Sequence, residues 1–145
     1  MRILVDSNVL IAYAEKTHVH HERVRNKLRE LIISNDELLY TSQGLREFWA
    51  AVTRSPNRTR NPGMGLSIDE AKAHLQKVKE LFVPLFVNDE EALKEWESLV
   101  ETYSTKDIKV HDANIVASMR VGGISHLMTI NVDDFKKYGI DIIEP

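Results

Sequence analysis

Arg2-Ile3-Leu4-Val5-Asp6-Ser7-Asn8, continued by Val9-Leu10-Ile11-Ala12-Tyr13-Ala14, decides the fold. Residues 2–5 are an apolar run of strand length, and roughly 7–15 read as a buried helix. A strand that ends on a carboxylate and turns at once into a helix aims that carboxylate at the carboxyl edge of the sheet. In open α/β sheets that edge is where ligands and chemistry collect.

The same alternation continues along the chain. Val24, Leu28, Leu31 and Ile32 recur at helical spacing and predict an amphipathic helix over roughly 20–34. Leu38 to Thr41 predict a short strand, and Ser42 is a candidate cap for a helix that carries Leu45, Phe48, Trp49 and Val52 on one face. Residues 55–66 are a loop by composition. Ser67 and Glu70 form a capping box that opens a helix to about Leu81. Residues 82–87 are extended, and Pro84 marks an edge strand. Asn88 to Glu91 signal another helix start, followed by a stripe of Leu93, Trp96, Leu99, Val100 and Tyr103. A helix of small residues, Ala113 to Met119, ends at Gly122-Gly123. Residues 126–130 and 140–143 predict two last strands, separated by a polar turn at 131–135. Strands alternating with helices predict a mainly parallel sheet covered on both faces, in one domain spanning 1–145.

The 145 residues, 43% of them hydrophobic, suffice for one full core. Cysteine is absent, which excludes disulfides and thiolate metal sites and fits a cytoplasmic protein. No apolar run is long enough for a membrane span, and the first residues lack the regions of a signal peptide. A formal net charge of −3 argues against a nucleic-acid binder driven by global charge. An enzyme that grips phosphates through metal ions remains, because its protein part must supply carboxylates.

Several acids sit where a solubilising charge is unusual. Asp6 ends a buried-type strand, Glu47 lies beside Phe48 and Trp49, Asp112 begins a small-residue helix, and Asp133 and Asp134 follow a strand. Strand ends share one edge, so Asp6 and the Asn131–Asp134 turn can converge there. Converging carboxylates need a proton, a basic partner or a cation, and oxygen-only donors select Mg²⁺ or Mn²⁺. Plainer readings stand beside this one. Asp6, Asp112 and Asp134 can each be helix N-caps, and Glu47 can pair with Arg46 or Arg54 on a solvated face.

Four stretches carry a family resemblance: Leu4-Val5-Asp6-Ser7-Asn8-Val9-Leu10, Leu45-Arg46-Glu47-Phe48, His111-Asp112-Ala113, and Thr129-Ile130-Asn131-Val132-Asp133-Asp134-Phe135. In this order they resemble the PIN-domain nucleases, most of all the VapC-type ribonucleases of toxin–antitoxin pairs. The resemblance implies a PIN-like three-layer α/β/α sandwich with a central parallel sheet. It implies a Mg²⁺- or Mn²⁺-dependent endoribonuclease with Asp6, Glu47 and Asp112 as the core metal-binding acids and Asn8 beside them. Family members often carry an acid where this chain has Asn131; Asp134 then supplies the fourth oxygen. Ser7 would orient Asp6 or touch a phosphate, and Thr129 would support the acids. The implied partners are an RNA substrate, a cognate antitoxin and a second copy in a homodimer.

Arg54, Arg58 and Arg60 follow the Glu47 helix and are candidates for phosphate contact. Lys106, Lys109 and Arg120 are further candidates. His18, His20 and His21 lack the ligand spacing of a zinc site. Two other functions remain open. A non-catalytic RNA-binding scaffold is favoured by Asn131 and opposed by the intact Asp6, Glu47 and Asp112. A phosphotransfer or phosphatase domain of the haloacid dehalogenase type needs a second Asp two residues after Asp6, and position 8 is Asn.

Overall fold

A computed structural model describes residues Met1–Pro145. Strand β1 (Arg2–Val5) lies in the middle of five. It is flanked by β2 (Glu37–Tyr40) and β4 (His126–Met128); β3 (Val83–Pro84) and β5 (Asp141–Ile143) form the edges. The order is β3-β2-β1-β4-β5 and every pairing is parallel. The proline explains the edge place of β3: it donates no ladder hydrogen bond. Only two residues of the extended 82–87 stretch become strand, although Leu85 still donates to the Tyr40 carbonyl at 2.8 Å.

Alternation in β1 assigns the two faces. Ile3 and Val5 point to one core and Leu4 to the other, all at most 2% exposed. On the first face pack α1 (Ser7–Ala14), α2 (His21–Ile33), α3 (Ser42–Thr53) and α4 (Ile68–Leu81), around Leu10, Leu28, Phe48 and Val78. On the second pack α5 (Asp89–Thr102) and α6 (Lys109–Val121), with Leu99, Val116, Leu127 and Phe135 at the centre. Ala113 and Ala117 let α6 lie close against its neighbours. A short α7 (Val132–Phe135) and a 3₁₀ turn (Lys136–Tyr138) occupy the polar turn before β5. The result is the three-layer α/β/α sandwich with a parallel sheet that the sequence predicts. No helix is long and apolar enough to cross a membrane.

The helices α3, α4 and α5 start on side-chain caps, one of them a residue earlier than expected. The Ser67–Glu70 box closes in both directions, at 3.2 and 2.8 Å, and Asn88 accepts from the Glu91 N–H at 3.0 Å. Ahead of α3 the cap is Thr41, not Ser42. Thr41 has the extended backbone a cap needs, and its hydroxyl accepts from the Gly44 N–H at 3.0 Å.

Candidate active site

From β1 the chain builds the sheet to one side, through β2 to β3, and then crosses back from β3 to lay β4 and β5 on the other side of β1. The crevice beyond the carboxyl ends of β1 and β4 is therefore a topological switch point. Val5 pairs with Met128, so Asp6 and Thr129 emerge abreast, and the Asp6 N–H donates to the Met128 carbonyl at 3.0 Å.

Asp6 is both a helix cap and a buried carboxylate. Its Oδ1 accepts from the Ser7 N–H at 2.7 Å, which is the capping role. Its Oδ2 accepts from Thr129 Oγ1 at 2.7 Å and from Asn8 Nδ2 at 2.8 Å. Asn8 is held in turn, because its Oδ1 accepts from the Ile130 N–H at 3.2 Å. The side chain at position 8 thus ties the ends of β1 and β4 together. Thr129 is fully buried and its Oγ1 also accepts from the Asn131 N–H at 3.0 Å.

Glu47 reaches the same place from α3. Ser7 Oγ donates to Glu47 Oε2 at 2.9 Å, so one serine joins two acids from elements 40 positions apart. The other Glu47 oxygen accepts from Gln43 Nε2 at 2.8 Å. Glu47 does not pair with Arg46 or Arg54, because its helix face turns inward to the α1 terminus. Gln43 also donates to the His111 carbonyl at 3.1 Å, and its Oε1 accepts from Asn114. Through this amide, α3 is bound to the first turns of α6, where Asp112 stands. Sequence reading missed Gln43 and Asn114. The signal for Gln43 was its spacing of four residues from Glu47 on one helix face.

Asp112 and Asp134 are not N-caps. Helix α6 begins three residues before Asp112, and Asp134 lies inside α7. Both are linked by Lys109, whose Nζ lies 2.5 Å from Asp134 Oδ1 and 3.6 Å from Asp112 Oδ2. Lys109 therefore turns to the acids, not outward to a phosphate. Arg120 is likewise occupied, by Glu95 at 2.7 Å. Arg58 and Arg60 stand exposed on the loop after α3, while Arg54 is half-buried. Asp133 is exposed and pairs with Lys136, away from the other acids. Asn131 is exposed, and its side chain does not cap α7. His21 is buried and ties α2 to α1 through the Ala12 carbonyl at 2.8 Å.

Electrostatics follow the geometry. Burial pushes the Asp6 carboxyl up to about 6, against the pull of Thr129 and Ser7, and the charges of Glu47 and Asp112 push the same way. Burial also raises Asp112; Lys109 opposes this, while Asp134 and Glu47 add to it. The four acids thus form a chain of mutual repulsion at one sheet edge. No three His, Asp or Glu side chains form a ready-made cage for an ion. Donor type and charge nevertheless suit a hard divalent cation. All donors are oxygens, and Asp6 and Glu47 have no basic partner within ion-pair distance.

A family model described as PIN domain matches residues 3–140. No protein of curated function matches the sequence. Among solved structures the chain is similar to VapBC2 from Rickettsia felis bound to a DNA fragment from its promoter, with 14% identity, TM-score 0.72, and 100% of this chain and 99% of that one covered. DNA-bound VapBC from Salmonella typhimurium is similar at 16% identity and TM-score 0.69, covering 99% of this chain and 98% of that one. VapC20 from Mycobacterium tuberculosis, a sarcin-ricin loop cleaving toxin, is similar at 18% identity and TM-score 0.65, with 99% of both chains covered. At such identities the likeness is one of fold.

Proposed function

Because the chain belongs to the PIN domain family, we propose that it is a metal-dependent endoribonuclease, the toxin of a VapBC-type toxin–antitoxin pair. One observation carries the reading. A buried carboxylate, Asp6, is fixed by three hydrogen bonds at the switch point and joined through Ser7 to a second acid that has no basic partner. A structural role does not call for two coupled carboxylates at the one edge where parallel sheets bind ligands.

Asp6, Glu47, Asp112 and Asp134 would hold the Mg²⁺ or Mn²⁺ ion. Bound there, the ion supplies positive charge to the phosphodiester and acidifies water. Hydrolysis adds water across the P–O3′ bond, leaving a 3′-hydroxyl and a 5′-phosphate. The chain's own groups prepare that event. Thr129 and Asn8 lock the Asp6 rotamer, and Gln43 locks Glu47. Ser7 Oγ, spent on Glu47, keeps the two acids at one spacing. Arg58 and Arg60 are exposed and unpaired, free to meet flanking phosphates.

Two protein partners belong to the reading. The antitoxin is supported by the VapBC assemblies among the similar structures and by an apolar groove of Leu45, Trp49, Ala50 and Leu75 between α3 and α4. A second copy is supported by Phe86 and Leu93, which are 83% and 54% exposed beside the edge strand. The phosphatase alternative is disfavoured, since Asn8 is wholly engaged in positioning. Asn131 favours a scaffold without activity, because a neutral amide stands at the turn where charge is needed.

The test is RNA cleavage by the purified chain with Mn²⁺ or Mg²⁺ against EDTA, beside Asp6→Asn. Metal-dependent cleavage lost in the variant supports the proposal. Absence of both cleavage and metal binding moves the weight to the scaffold.

A further inference from the structure

The four acids divide into two unlike halves. Asp6 and Glu47 face no cation, whereas Asp112 and Asp134 share one ammonium. Lys109 is the only basic group within ion-pair distance of either. It holds the two across separate elements, from the first position of α6 to the interior of α7. That place is unfavourable for a lysine taken alone, because a helix N-terminus carries partial positive charge. The two carboxylates outweigh the dipole. With the lysine side chain 44% exposed and Asp112 and Asp134 at 22% and 34%, the ammonium has room to swing into solvent.

We propose that Lys109 is the resident counter-cation of the Asp112–Asp134 half of the site, holding these carboxylates together in the metal-free protein and yielding when a divalent cation takes the same oxygens. This rests on the metal reading above. A divalent ion and an ammonium drawn to the same two carboxylates repel each other and share their negative charge, so each weakens the other's hold. Lys109 therefore stabilises the metal-free fold and sets metal affinity below what the carboxylates alone give. The lysine is a positioning residue, not one that touches the reacting atoms.

Calorimetric titration of the full chain with MnCl₂, without RNA, tests this on the wild type, Lys109→Met and Lys109→Arg, with melts in EDTA alongside. Removing the competing charge should tighten Mn²⁺ binding about fivefold at low ionic strength, the value of one partly exposed ion pair. Lys109→Met should also melt lower in EDTA. The gain should shrink in high salt, which screens the ammonium. Lys109→Arg keeps the charge and should bind as wild type does. If the methionine variant does not fold, Lys109→Gln keeps a donor without the charge and is expected to show the same gain. Equal, measurable Mn²⁺ affinity in wild type and the uncharged variant overturns this inference alone. So does a gain in Lys109→Arg equal to that in Lys109→Met. No Mn²⁺ binding by any of the proteins overturns the metal reading and this inference with it.

Discussion

Asp6→Asn isolates the cost of burying one charge. In the folded chain the Asp6 carboxyl titrates at about 6, against an ordinary value of 3.8. Between those values the folded protein binds a proton that the unfolded chain has lost, so stability falls as pH rises through the window. Below the window both states are protonated and nothing is lost; above it the full penalty applies. The gap corresponds to about 3 kcal/mol. An amide at position 6 has no such penalty. It can accept from the Ser7 N–H and donate to Thr129 Oγ1, but its NH₂ then faces Asn8 Nδ2. That unmade hydrogen bond costs about 1 kcal/mol. The net expectation near pH 8 in EDTA is a variant about 2 kcal/mol more stable than wild type, or roughly 6 °C in Tm. Near pH 4 the electrostatic gain shrinks to about 0.5 kcal/mol and the variant becomes slightly the less stable. Urea unfolding followed by circular dichroism at both pH values reads the crossover. A variant less stable than wild type by the same margin at both would refute the buried-charge argument. Under the proposed function, excess Mn²⁺ reverses the order near pH 8, since a ligand at a hundredfold its Kd adds about 2.7 kcal/mol to the protein that binds it.

Thr129→Val keeps the shape but removes the hydroxyl that bonds Asp6, Asn8 and Asn131. It should cost about 2 kcal/mol in urea unfolding and move the Asp6 carboxyl further up, as carboxyl NMR titration would show. Leu127→Ala opens a cavity beneath β4, where the side chain is fully buried, and should cost roughly 2–5 kcal/mol. Asn131→Asp restores an acid at the turn; cleavage assays should find activity equal to or above wild type. Arg58→Ala and Arg60→Ala should leave Tm unchanged, because both side chains are exposed and unpaired. Each should weaken RNA binding and lower the slope of log K against log salt by about 0.7–0.9.

Some of this protein was legible residue by residue. The Ile3, Leu4, Val5 run followed by Asp6 identified a central strand delivering a carboxylate. The Ser67–Glu70 box and the Asn88 cap located two helix starts, and Pro84 placed an edge. These succeed because propensity, capping and periodicity act over three or four residues and need no knowledge of the rest of the chain. Errors of one position, such as Ser42 for Thr41, arise because a cap is chosen by backbone angles as well as by side chain.

The site's wiring was not legible, since its links are long in sequence. Ser7 meets Glu47 across 40 positions, Gln43 meets Asn114 across 71, and Thr129 meets Asp6 across 123. Sequence order supplied the acids, but strand order and register decided which are neighbours. Lys109 shows the difference most plainly. Its nearness to Asp112 was available from helical spacing, whereas its contact with Asp134 required β4 to lie beside β1 and α7 to fold back over the sheet edge. Local chemistry specifies elements; only packing the two cores against one sheet brings distant charges to hydrogen-bonding distance, where burial and repulsion turn ordinary carboxylates into a site.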